Sequence, residues 1–174
     1  LQHHVDPDEE LWVNEGLSDY AQTLVGYVGD LGIDMRWLVI GGDPVFFEIT
    51  KSLHNTLHGY GGDRPARAAD RLHYEEVLAA NAAELLDVVR PGDIVLLHDP
   101  QTAGLAGLLV DAGALVIWRS HIGLDSANDA TEAAWDFLRP HLMRAHGWVF
   151  SRRAYVPAWL PNDNVWIIPP SIDP

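Results

Sequence analysis

Short unbroken apolar runs alternate along this chain with stretches whose apolar residues recur every three or four positions. From about Glu15 to Leu31, the residues Leu17, Tyr20, Ala21, Leu24, Val25 and Val28 line one face of an amphipathic helix, with Gly32 as its cap. Met35 to Ile40 is a short apolar run closed by Gly41-Gly42, the pattern of a buried strand. Asp43-Pro44 then opens a second helix, because Asp is a favoured N-cap and Pro is preorganised for the first helical position. Phe46, Phe47, Ile49, Leu53 and Leu57 give that helix its apolar face, and Gly59 ends it. Tyr60 to Ala66 reads as a Gly/Pro loop. Helical spacing resumes from about Ala68 to Val89 through Leu72, Tyr74, Leu78, Leu85 and Val88.

Beyond the turn Pro91-Gly92-Asp93, the run Ile94 to Leu97 predicts a strand of the buried, parallel kind. A helix follows from about Thr102 to Ala112, broken by Gly113, and Ala114 to Trp118 is the next strand. Thr131 to Ala145 is helical. Trp148 to Ser151 and Val165 to Ile168 are two further strands, joined by a short turn or helix near Ala154 to Leu160. At the other end, Leu1 to Val5 reads as the tail of a strand and Asp6 to Glu10 as an acidic loop. Apolar strands alternating with helices predict an α/β fold: a doubly wound, mostly parallel Rossmann-like sheet with helices on both faces.

In such sheets, ligands bind beyond the carboxyl ends of the strands. Three polar clusters fall there: Gly41-Gly42-Asp43, His98-Asp99-Pro100-Gln101 and Arg119-Ser120-His121. An acid, an arginine and two histidines at adjoining strand ends suit sugar hydroxyls or a phosphate. Each also has a plainer role. Asp43 is most simply an N-cap, Asp99 can cap the helix after Pro100, Arg119 can pair with Asp99, and His98 and His121 can be core histidines. His54 and His58 share a helix face, but no third metal ligand is obvious beside them.

Composition narrows the function classes. The 11 Lys+Arg against 25 Asp+Glu leave a formal charge of −14, with no basic patch, which argues against nucleic acid and anionic lipid as partners. Cysteine is absent, so disulfides, thiolate nucleophiles and cysteine-based zinc sites are excluded, and a cytoplasmic location is expected. No apolar window approaches the ~20 residues that span a bilayer. No phosphate-binding Walker loop, dinucleotide glycine fingerprint or G-x-S-x-G elbow occurs, which removes the best supports for an NTPase, a dehydrogenase or a serine hydrolase.

Several strings, in order, resemble one family. They are Gly32-Ile33-Asp34-Met35-Arg36-Trp37, Gly42-Asp43-Pro44 with Phe46-Phe47, and Ile49-Thr50-Lys51 with His54-Asn55-Thr56-Leu57-His58-Gly59. His98-Asp99-Pro100-Gln101, Trp118-Arg119-Ser120-His121-Ile122 and Pro169-Pro170-Ser171-Ile172-Asp173-Pro174 continue the series. Together they resemble the N-terminal domain of trehalose synthases and trehalose phosphorylases, retaining glycosyltransferases of the two-domain GT-B type. The resemblance implies transfer of an α-glucosyl group from a nucleotide-activated glucose to a sugar acceptor, or from trehalose to phosphate. It implies that residues 1–168 form the acceptor-side domain. Residues 169–174 would then begin a linker to a C-terminal nucleotide-sugar domain outside this chain.

By the same analogy His121 would lie near the transferred sugar as the catalytic residue, with Arg119 beside it. His98, Asp99 and Gln101 would line the acceptor pocket, with Gly16 and Asp43 as further substrate-binding candidates. The family's glycine-rich loop reads here Trp12-Val13-Asn14-Glu15-Gly16-Leu17-Ser18-Asp19, in which only Gly16 remains of the glycines. A stand-alone sugar-binding or regulatory module without catalysis, or a phosphorylase-type enzyme, is therefore an alternative. The expected partners are the sugar acceptor and, for a longer protein, the nucleotide-glucose donor. No metal or resident cofactor is expected, and a homodimer is open.

Overall fold

The computed structural model describes residues 35–61 and 67–169. The chain divides into two compact units, Leu1–Val39 and Ile40–Pro174. The expected strand tail at Leu1 to Val5, the acidic loop, the helix from Glu15 to Leu31, Gly16 and the stretch Pro170 to Pro174 lie outside the described residues. Of the first unit only residues 35–39 are described, and they are in neither helix nor strand.

In the second unit, α1 (Pro44–Leu57) begins as expected: Asp43 accepts a hydrogen bond from the Phe46 N–H at 2.8 Å, and Pro44 needs no amide donor there. α2 (Ala68–Leu85) follows, then β1 (Ile94–His98), the short α3 (Asp99–Thr102), α4 (Leu105–Asp111) and β2 (Leu115–Ser120). α5 (Asp129–Leu142), β3 (Gly147–Phe150), two 3-10 turns (Arg153–Tyr155 and Asn162–Asn164) and β4 (Val165–Ile167) complete the described elements. The strands pair in the order β1-β2-β3-β4, all parallel. The fold is α/β, with a four-stranded parallel sheet flanked by helices.

The core lies between sheet and helices. Alternate residues of the strands, Leu97 on β1, Val116 and Trp118 on β2, and Trp148 and Phe150 on β3, are buried with Leu105 and Leu109 of α4 and Trp135 and Leu138 of α5. Trp118, Trp135 and Phe150 meet edge-on with ring centroids 6.0–6.3 Å apart, an arrangement that suits the positive edge and negative face of aromatic rings. Pro140, inside α5, cannot donate an amide hydrogen to the Asp136 carbonyl. Arg71 of α2 donates to that oxygen at 3.4 Å, as well as to the Phe137 carbonyl at 2.8 Å, so the proline does not leave the Asp136 carbonyl unpaired.

One expected strand is corrected. Residues 35–40 pair with no strand among the described residues. A strand needs partners for its amides and carbonyls. At the end of this run, the Gly41 N–H donates to Asn81 Oδ1 at 2.7 Å, and the Gly41 carbonyl accepts from Asn81 Nδ2 at 2.9 Å. A side chain of α2 thus supplies what a neighbouring strand would. The helix expected from Thr102 to Ala112 is split into α3 and α4. β2 also runs two residues past Trp118, because Arg119 and Ser120 pair with Val149 and Phe150. No helix of the described residues is long and apolar enough to cross a membrane.

Candidate functional site

β1 and β2 are adjacent and parallel, with His98 opposite Arg119. Their carboxyl ends therefore deliver the two clusters His98-Asp99 and Arg119-Ser120-His121 to one place. Side chains alternate along a strand, so Arg119 lies on the sheet face opposite Trp118, and His98 shares that face with it. The His98 and His121 rings stack with centroids 5.6 Å apart and planes 12° from parallel.

Asp99 is the hub. Its backbone has φ +58°, in the left-handed region, where a non-glycine residue is uncommon and Asp is among the better tolerated. Three hydrogen bonds hold it there. Oδ1 accepts from the His121 N–H at 2.9 Å, and Oδ2 lies 3.2 Å from His121 Nδ1. The Asp99 carbonyl accepts from the indole N–H of the buried Trp118 at 3.0 Å. Tyr74 supports the next residues from below: its hydroxyl donates to the Pro100 carbonyl at 2.6 Å and accepts from the Gly104 N–H at 3.0 Å. Burial pushes the Tyr74 pKa well up, so it acts as a neutral hydroxyl.

Both nitrogens of His121 are engaged. Arg119 Nε donates to His121 Nε2 at 3.0 Å, so the pairing fits one tautomer, with the proton on Nδ1 directed at Asp99. His121 remains 40% exposed and Asp99 25% exposed, so an acid, an imidazole and a guanidinium are linked to each other and open to solvent. His98 is more enclosed. Burial lowers its pKa; the Asp99 charge opposes this, and His121 and Arg119 add to it.

α1 closes a further side of the site. It packs against α3, and His54 responds to the charge on Asp99, which raises its pKa against the larger lowering by burial and by His58. The His54 and His58 rings are 5.0 Å apart. The sequence showed these two as a pair on one helix face but gave no sign that the charge of Asp99 reaches His54. Among the described residues, no group of three or more His, Asp or Glu side chains could hold a metal ion.

The expected residues thus separate. His98, Asp99, Arg119 and His121 come together, and Gln101 sits half-buried on α3 beside them. Asp43 is elsewhere. It lies eleven positions before His54 on the same helix, about 16 Å along the axis. There it caps α1 and pairs with His73 Nε2 at 2.9 Å, and its carboxyl is held below the ordinary range by the Phe46 amide and then by His73. Gly16 lies outside the described residues.

Similarity to known proteins bears on what this site serves. The family described as the N-terminal domain of trehalose synthase matches residues 14–157. A trehalose synthase of Thermococcus litoralis is 37% identical over 159 residues, which cover 91% of this chain and 37% of that protein. A trehalose phosphorylase of Pleurotus sajor-caju is 31% identical over 134 residues, 69% of this chain and 17% of that protein. Among solved structures, the N-terminal domain of Candida albicans trehalose-6-phosphate phosphatase has a TM-score of 0.55 at 18% identity, covering 96% of this chain and 40% of that one; at such identity the likeness concerns the fold alone. The chain therefore spans well under half the length of the relatives it matches, over most of its own length, and it belongs to the family of the trehalose synthase N-terminal domain.

Proposed function

We propose that this chain is the acceptor-side domain of a retaining α-glucosyltransferase that moves glucose from a nucleotide-glucose donor to a sugar acceptor. The observation that carries this reading is the linked set His98, Asp99, Arg119 and His121 at the carboxyl ends of two adjacent parallel strands, where α/β sheets take their ligands. In the transfer, an acceptor hydroxyl oxygen bonds to the anomeric carbon as the bond from that carbon to the nucleoside diphosphate breaks. The hydroxyl proton leaves with the diphosphate.

The residues present suit the acceptor side of that exchange. His121 Nε2 is an acceptor now taken by Arg119. A sugar hydroxyl donating to the same nitrogen would displace the guanidinium, and Arg119 would turn to a ligand oxygen. Asp99 keeps the His121 ring and amide in place throughout. The donor nucleotide belongs, in this reading, to a second domain beyond this chain, and the chain itself needs no metal or resident cofactor.

Calorimetry tests the division. The chain alone is expected to bind glucose or trehalose weakly and to show no binding of a nucleoside diphosphate glucose. A longer product of the same gene, carrying a second α/β domain, is expected to form trehalose from glucose and such a donor. Tight nucleotide-sugar binding by the chain alone would overturn the reading. Likeness to the phosphorylase favours one second reading, in which trehalose and phosphate are the substrates. Glucose 1-phosphate released by the longer protein would establish it.

A further inference from the structure

His121 is exposed, yet the chain that carries it is gripped on both sides. Between β2 and α5, residues 121–128 begin with a tight local ring: Ser120 Oγ donates to the Ile122 carbonyl at 2.8 Å and accepts from the Ile122 N–H at 3.2 Å. Gly123 follows and is buried. Its bare backbone lies against Tyr155 of the 3-10 turn after β3. A Cβ at position 123 would stand 2.2 Å from Tyr155 Cγ and 2.6 Å from both Cβ and Cδ1. Rotation about χ1 would carry Cγ and Cδ1 away but leaves Cβ where it is, so a rotamer change cannot clear the 2.6 Å contact. Either the turn or the His121 loop must move.

The opposite flank meets the end of α1. Gly59 has φ +83°, and a Cβ there would stand 2.7 Å from Leu124 Cδ2 and 3.1 Å from Asn128 Nδ2. Asn128 also caps α5 by accepting from the Thr131 N–H at 3.0 Å. An Arg152–Asp125 ion pair at 2.9 Å ties the loop again to the segment after β3. The loop is anchored to β2 through the Ser120 ring and to α5 through the Asn128 cap, so a displacement at Gly123 is carried in part to His121, two residues away.

We propose that Gly123 is a positioning residue for His121: close approach of Tyr155 to its bare backbone sets where the imidazole meets Asp99 and Arg119. The inference rests on the reading of His121 as the sugar-facing group. The His121–Asp99 contact is 3.2 Å and the Arg119–His121 contact 3.0 Å. A shift of even half an ångström would loosen both, and misplacement of a reacting group by about 1 Å can lower a rate ~100-fold.

The test compares Gly123→Ala, Gly123→Ala with Tyr155→Gly, and Leu109→Ala as a core-weakened control, each against the parent chain. Tyr155→Gly is chosen because Tyr155→Ala would keep the 2.6 Å contact at Cβ. The primary reading is the His121 ring resonance in a carbon-edited proton NMR spectrum, taken without sugar, so a chain that binds no sugar still answers. Gly123→Ala is expected to move that resonance by more than its line width, and the double variant to return it towards the parent position. Leu109→Ala is expected to lower Tm and leave the resonance in place.

An unmoved His121 resonance in a folded Gly123→Ala chain would overturn the proposal and leave Gly123 a packing residue. Should Gly123→Ala fail to fold, the double variant decides alone: a resonance at the parent position supports the proposal, a displaced one overturns it. Trehalose affinity of the same variants is the second reading, expected to fall about tenfold in Gly123→Ala. Absence of sugar binding in the parent would count against the proposed function and leave the NMR result standing.

Discussion

The loop Gly41-Gly42-Asp43 and the pair of strand ends at His98-Asp99 and Arg119-Ser120-His121 look alike in sequence, each a small polar cluster after an apolar run. The structure gives them opposite roles. The first is bound to the two helices beside it: to α2 through Asn81 and His73, and to α1, which Asp43 caps. The second is bound to itself across two strands, with Asp99, His121 and Arg119 linked in one open chain. A polar cluster becomes a candidate site when a neighbouring strand end brings it a second cluster. The loop at Asp43, with no such neighbour among the described residues, serves as a cap.

The largest effect expected from this contrast is at Asp99. Asp99→Asn keeps the shape and removes the charge facing His121, and kcat/KM for glucosyl transfer by the longer protein is expected to fall about 100-fold or more. Asp43→Ala should lower Tm through the lost cap and leave kcat/KM near the parent value. Equal losses of activity at the two positions would erase the distinction.

Next in size is the support beneath Asp99. Tyr74→Phe strips the buried hydroxyl that serves both the Pro100 carbonyl and the Gly104 amide, and unfolding in denaturant should show a loss of about 1–3 kcal/mol. A loss within experimental error would mean that these backbone groups find other partners.

The smallest effect is a slope in pH. His54, His98 and His141 all have pKa values lowered from the ordinary 6.5, with burial the largest cause of each. In the unfolded chain they take up protons first as pH falls. Stability is therefore full above about 6.5 and declines as pH drops from there through the lower folded values. Melting curves should show that decline, and His98→Gln should flatten part of it. An unchanged slope would place His98 outside the titrating set.

Periodicity and punctuation carried most of the fold. Asp43-Pro44 marked the start of α1, and the four described strands were each legible as apolar runs between turns. Local pattern could not supply partners. The run at 35–40 had the look of a strand, yet Asn81, forty residues away, takes the Gly41 amide and carbonyl. The carboxyl end of β2 was hidden for the same reason, since Arg119 and Ser120 are polar and only their pairing with β1 and β3 makes them strand. In the site, residue types and strand-end placement foretold His98, Asp99, Arg119 and His121 as neighbours. They could not foretell the left-handed turn at Asp99, because Trp118 and His121, which hold it, come from β2 and the residue just after it. His54 was visible as half of a histidine pair, but its approach to Asp99 depends on how α1 packs.

A sheet laid down in chain order can be built in chain order. Among the described strands, β2, β3 and β4 each pair with the one synthesised just before them, so no pairing has to wait for a strand made later. During translation, β1 and β2 can join while β3 is still being made. The Asp99–His121 link can then form on a half-finished sheet, before the aromatic core around Phe150 and Trp135 closes on the opposite face.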